Sequence, residues 1–228
     1  MLSSGSATED DIPKLSKKWS SSGRPEHSEC LISSVVPKMT LFLKRALRSK
    51  GPMKIWVLGQ DIKPLFPHKY RPLKTLGMDR RVNIYGALRM YKPPLLIIDF
   101  GTAITADYVS KKGVFEGGMI IPGPELAYHS LIKKAALLPR TLPLPRRAPS
   151  LTARNTYGCL QSGVLHGFAA MTEGIIDRFR SERGTDLKVI LTGGYAQHLV
   201  PYMKGRYRFD PKHSIKSLLM IYKDCACS

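Results

Sequence analysis

The run Leu95-Leu96-Ile97-Ile98-Asp99-Phe100-Gly101-Thr102-Ala103-Ile104-Thr105 constrains this chain more than any other stretch. Four consecutive aliphatic residues suit a strand buried on both faces. The run then passes straight into a carboxylate, a glycine and two hydroxyls. Gly101 lets the backbone approach a ligand closely, Thr102 and Thr105 offer hydroxyls, and Asp99 carries a charge able to hold a cation. The pattern fits a phosphate-binding turn, and taken alone it fits a buried strand with an ordinary turn equally well.

The flanking sequence has strand-helix-strand order. Glu29 to Pro37 is an apolar, β-branched run closed by proline; Met39 to Leu47 places Met39, Leu43, Ala46 and Leu47 on one helical side; Ile55 to Gly59 is again apolar. This order predicts an α/β layer with parallel pairing. Residues 1–28, rich in Ser, Lys, Glu and Gly, are expected to form a disordered or divergent tail. The proline-rich stretch from Lys63 to Lys74 is expected to be a loop.

Asp79, in Gly77-Met78-Asp79-Arg80, sits where an N-cap would lie, ahead of a helix whose packing face is drawn from Val82, Tyr85, Leu88 and Gly86. Its other reading is catalytic, since a carboxylate at a loop-to-helix junction beside a guanidinium can orient and deprotonate a hydroxyl. The local pattern leaves both open. After the opening run, Ala106 to Ser110 and Gly113 to Gly123 read as two further strands, Ser130 to Leu138 as a helix, and Pro139 to Pro149 as a basic loop. Gly158 to Arg180 reads as one long helix whose Gly163, Gly167, Ala169 and Ala170 permit close packing and whose glycines permit a break. Lys188 to Gly194 repeats the opening design, an apolar strand running into Thr192-Gly193-Gly194, where a glycine pair lets backbone lie against a nucleotide. Residues 195–202 suit a helix, 205–210 a strand, and Ser214 to Tyr222 a closing helix.

Charge narrows the partner. Thirty-six Lys and Arg face seventeen Asp and Glu, a net charge of +19, which favours something anionic: nucleic acid, a membrane surface or a phosphorylated small molecule. The basic clusters at Lys44 to Lys54, Lys133 to Arg147 and Lys204 to Lys216 carry no regular interleaving of aromatics for base stacking, so they read as generic basic surface and nucleic-acid binding is the weakest alternative. No apolar run reaches the roughly 20 residues needed to span a bilayer, and the N-terminus lacks the apolar centre of a signal peptide. Cys30, Cys159, Cys225 and Cys227 have no metal-ligand spacing, and the histidines form no ligand pairs, which agrees with a reducing, cytoplasmic setting.

Taken in order, Ile32 to Pro37, Gly77-Met78-Asp79-Arg80, Asp99 to Thr105, Gly117-Gly118 to Pro122-Gly123, Leu138-Pro139, Asn155-Thr156 and Thr192-Gly193-Gly194 resemble a type III pantothenate kinase, over roughly residues 30–223. The resemblance implies an α/β, actin-like (ASKHA) kinase fold whose two ribonuclease-H-like halves enclose ATP and the acceptor. Residues 29–94 would form the first half with the acceptor site, and 95–223 the second. It implies transfer of the ATP γ-phosphoryl group to pantothenate, at the first step of coenzyme A biosynthesis, by a homodimer. By position, Asp79 would be the base, with Gly77, Met78, Arg80 and Thr156 at pantothenate. Thr102, Gly101, Thr192, Gly193 and Gly194 would face ATP with its Mg2+, and Asp99 would bind a monovalent cation, K+ or NH4+. The family's first phosphate loop, Asp-x-Gly-Asn-Thr, has no counterpart between Met1 and Cys30, so the first half is expected to be incomplete and turnover lowered. A non-catalytic regulatory or interaction relative is the principal alternative.

Overall fold

A computed structural model describes residues 29–34, 37–49, 53–135, 137–145 and 149–226; the expected tail at 1–28 lies outside the described residues. The chain divides into two compact units. The first draws its described residues from the stretch up to Phe66, from Arg71–Arg89 and from Ser214 onward, and the second from Pro67–Tyr70 and Met90–His213.

In the first unit, β1 (Glu29–Ile32) and β2 (Lys54–Val57) pair in parallel, Glu29 opposite Lys54 and Ile32 opposite Val57, with α1 (Pro37–Arg48) between them in sequence. This is the strand-helix-strand order expected. Ile32, Leu47 and Val57 close a small core beneath it. Helix α2 (Met78–Met90) differs from its expected one-sided packing, because Val82 through Ala87 are all buried in succession. A helix covered on every side shows no amphipathic period, so a single packing face could not be read from it. The C-terminal helix α7 (His213–Ala226) lies along α2. Tyr85 donates its hydroxyl to Asp224 Oδ2 at 2.9 Å, Arg89 Nε reaches the same oxygen at 3.1 Å, and Leu58, Ile62, Val82, Tyr85 and Ile221 form the shared apolar cluster.

The second unit is built on a five-stranded sheet of order β5-β4-β3-β6-β7. Strand β3 (Leu95–Phe100) runs antiparallel to β4 (Ala103–Val109), which runs antiparallel to β5 (Phe115–Pro122); β6 (Lys188–Thr192) is parallel to β3, and the two-residue β7 (Arg208–Phe209) is parallel to β6. Leu95, Leu96, Ile97, Ile98 and Phe100 are at most 1% exposed, the two-sided burial expected of the aliphatic run. Each such side chain contributes about 1.5–3 kcal/mol relative to exposure.

Three helical boundaries differ from expectation. Helix α3 spans Pro124–Lys134 and not 130–138, because Gly123 occupies the N-cap position and Pro124, pre-set in φ and needing no donor, opens the first turn. The long helix at 158–180 is divided into α4 (Thr156–Ser162), a π-helical turn (Gly163–Gly167) and α5 (Phe168–Arg183), with the irregular turn bounded by two glycines. After Gly194, α6 covers only Ala196–Leu199 and a 3-10 turn completes the segment.

Candidate functional site

The candidate residues fall into a helix entrance in the first unit and a set of strand-end turns in the second. At the helix entrance, α2 begins at Met78, so Asp79 lies inside the first turn and the N-cap position expected for it belongs to Gly77. The Asp79 side chain is exposed, while its neighbour Arg80 is 5% exposed. A carboxylate in a first helical turn faces the positive end of the helix dipole. A Cβ at Gly77 would meet Asp79 Oδ1, so a larger residue there would turn the carboxylate out of its present position. Met78 packs against the Leu58 cluster, so it anchors the entrance from below.

Arg81 was not singled out by sequence reasoning, yet it holds this entrance in place. Its Nε donates to the Leu76 carbonyl at 3.1 Å and its Nη2 to the Leu73 carbonyl, gripping the 3-10 turn Leu73–Thr75 that precedes Gly77. The only sequence signal was a second arginine beside Arg80.

In the second unit, the register sets Asp99 opposite Thr105 on β4 and opposite Thr192 on β6. The strand ends carrying Asp99-Phe100-Gly101-Thr102 and Thr192-Gly193-Gly194 are therefore adjacent. Thr192 is buried, Asp99 half-buried and Thr102 exposed. The Tyr195 amide donates to the Phe100 carbonyl at 3.1 Å and ties the second turn to the first. Gly123 is a supporting residue to which the sequence assigned no role. Its amide donates to the Thr102 carbonyl at 3.0 Å, and a Cβ there would stand 2.5 Å from the carbonyl oxygens of both Gly101 and Thr102. Its place after the Gly117-Gly118 strand was the available signal.

A cavity of about 410 Å3 opens beside both glycine turns, lined by Pro124, Glu125, Tyr128, Arg140 and Tyr195 among others. Burial first, and then the neighbouring Glu125 carboxylate, push the Tyr195 phenol above its ordinary pKa, so it remains a hydrogen-bond donor at neutral pH. Thr156 is exposed as the first residue of α4; Asn155 caps that helix by accepting the Gly158 amide at 2.8 Å.

The donor set bears on the ions. Among the described residues no group of three His, Cys, Asp or Glu side chains could hold a metal ion. At the strand ends Asp99 supplies one carboxylate, with the hydroxyl-bearing Thr105 and Thr192 opposite it in register.

A carboxylate in a first helical turn, and separately a pair of strand-end turns carrying hydroxyls and glycines, are the kinds of group that phosphoryl transfer uses, here on a mixed α/β scaffold. Comparison with known proteins narrows this. The sequence model of the type III pantothenate kinase family matches residues 3–178. A type III pantothenate kinase of Citrifermentans bemidjiense is 37% identical over 195 residues, covering 86% of this chain and 76% of that protein. One of Brevibacillus brevis is 34% identical over 219 residues, covering 95% and 85%, and one of Syntrophobacter fumaroxidans is 39% identical over 193 residues, covering 85% and 74%. The chain belongs to the type III pantothenate kinase family. Among solved structures, one described as a Baf family transcriptional activator from Campylobacter jejuni shares the fold, with a TM-score of 0.57 at 22% identity over 93% of this chain and 87% of that one. No helix among the described residues is long and apolar enough to cross a membrane.

Proposed function

We propose that this chain catalyses ATP-dependent phosphorylation of pantothenate to 4'-phosphopantothenate, the first step of coenzyme A biosynthesis, on an actin-like fold of two ribonuclease-H-like halves. The observation that carries this reading is Asp79, an exposed carboxylate in the first turn of a helix whose residues Val82 through Ala87 are all buried, in a member of this family. Asp79 accepts the proton of the pantothenate primary hydroxyl as that oxygen forms its bond to the γ-phosphorus. The bond from that phosphorus to the β–γ bridging oxygen breaks, and ADP leaves with the electron pair. Gly77 keeps the space the carboxylate occupies, and Arg80 and Thr156 bind the acceptor.

At the other loop system, Thr102 and the turn that follows Thr192, through Gly194, hold the phosphates of Mg-ATP, and the cavity beside Tyr195 suits the nucleoside. Asp99 would hold a monovalent cation, which when bound offsets phosphate charge. We also place a homodimer contact on α4–α5, where Gly163, Gly167, Ala170 and Gly174 are exposed at helical spacing.

The test is formation of phosphopantothenate from pantothenate, Mg-ATP and potassium. Asp79→Asn should lower kcat by about 10²–10⁴ with little change in KM for ATP. Turnover unaffected by the substitution would refute the base assignment, and pantothenate binding without any turnover by the unsubstituted chain would favour a non-catalytic relative.

A further inference from the structure

The two glycines of Thr192-Gly193-Gly194 face different surroundings. A Cβ on Gly194 would meet nothing within 4 Å, so this residue borders open space. Gly193 is enclosed. A Cβ there would fall 2.5 Å from the Phe100 nitrogen and 2.6 Å from the Phe100 oxygen, and it would collide with Asp99 Oδ1. Its φ of +96° lies in the left-handed region that side chains other than hydrogen rarely adopt. Neighbouring bonds make the corner stiff: the Tyr195 amide is held on the Phe100 carbonyl at 3.1 Å, and β3 and β6 pair in parallel up to Asp99 opposite Thr192.

We infer that Gly193 is a positioning residue whose missing side chain forms the seat for the Asp99 carboxylate, fixing where that carboxylate meets a monovalent cation, while nucleotide contact falls to Gly194. The inference rests on the reading of Asp99 as the cation ligand. Its physical basis is the direction of the clash. Any side chain at 193 presses on Asp99 and the Phe100 peptide, and the packed strand pair gives way only by displacing the carboxylate or the turn that carries it. A carboxylate moved by about 1 Å keeps its charge but loses the ligand geometry.

Two readouts test this. One is the potassium concentration for half-maximal activity. The other, independent of turnover, is the rise in Tm produced by potassium chloride over choline chloride at equal ionic strength, without ATP. Gly193→Ala is expected to raise the potassium requirement by about tenfold or more and to abolish the potassium-specific Tm rise, with KM for ATP changed by less than about threefold. Gly194→Ala should instead raise KM for ATP and keep the potassium response. Lys112→Ala, exposed in the turn between β4 and β5, controls for generic effects.

Should Gly193→Ala fail to fold, Asp99→Glu carries the test. It retains the charge but not the seat, so it should lose the potassium response as Asp99→Asn does. A normal potassium response in Gly193→Ala, or in Asp99→Glu, alongside its loss in Asp99→Asn, would overturn the positioning role alone. A response that survives Asp99→Asn, or is missing from the unsubstituted chain, would overturn the cation assignment beneath it.

Discussion

Glycine at position 86 sits in the middle of α2, where replacement by alanine ordinarily stabilises a helix by about 0.8–1 kcal/mol. Here the sign should reverse. A Cβ on Gly86 would stand 2.7 Å from the Cα of Ser217 on α7 and closer still to the Ser217 side chain. A clash with a side-chain tip is relieved by rotation, but a clash with main-chain atoms requires the two helices to separate. Separation would strain the Tyr85 and Arg89 bonds to Asp224 and the cluster around Ile221. Overpacking of this kind costs about 1–3 kcal/mol, and the approach to backbone places it at the upper end. After the propensity gain the net is a loss of about 2 kcal/mol, or a fall in Tm of roughly 4–8 °C for a chain of this size. The assay is thermal unfolding followed by circular dichroism on Gly86→Ala, Ser217→Gly and the double variant. Removing the Ser217 side chain leaves only the clash with the α7 main chain, so the double variant should recover part of the loss, with a coupling of about 1 kcal/mol or more. A Gly86→Ala protein melting at or above the unsubstituted Tm would refute the reasoning, since it would mean that the helices are free to shift apart.

The remaining predictions concern acid stability and assembly. Glu29 accepts the Trp56 indole N–H at 2.8 Å and the Tyr222 hydroxyl at 2.9 Å, and these bonds, Trp56 first, hold its carboxyl below the ordinary carboxylate pKa. A depressed folded pKa contributes stability above the unfolded value, about 4.3, and loses it as pH falls through the folded value. The Tm advantage over Glu29→Gln should therefore be present at neutral pH and be lost as pH falls below the ordinary carboxylate range; an advantage equal at neutral and at strongly acid pH would sink the assignment. For the α4–α5 contact, sedimentation should show a dimer that Gly167→Leu converts to monomer, and a dimer indifferent to that change would place the interface elsewhere.

Much of this fold was legible because its signals are local. The runs before Asp99 and Gly193 are aliphatic on consecutive positions, which suits a strand buried on both faces, and both became inner strands of the five-stranded sheet. The strand-helix-strand order at 29–59 likewise carried its own parallel pairing. The boundaries that differed are those decided by one residue against a longer pattern. Pro124 opens α3 six residues ahead of the expected start, and β7 shrinks to two residues because only Ile190 and Leu191 pair with it.

The site divides along the same line. Asp79, Asp99, Thr102 and the glycine pair can be found in the string because a carboxylate or glycine beside a strand or helix end is a short-range pattern. Their supports cannot. Arg81 gripping Leu73 and Leu76, Gly123 under Thr102, Gly86 against Ser217 and Gly193 against Asp99 are relations between residues from 5 to 131 positions apart, and the chemistry of each partner alone is unremarkable. Three of these four supports are glycines, which leave no hydrophobic or charge signal and acquire meaning only from what a Cβ would strike. In this chain the groups assigned to the chemistry are written as side chains, while much of their positioning is written as side chains left out.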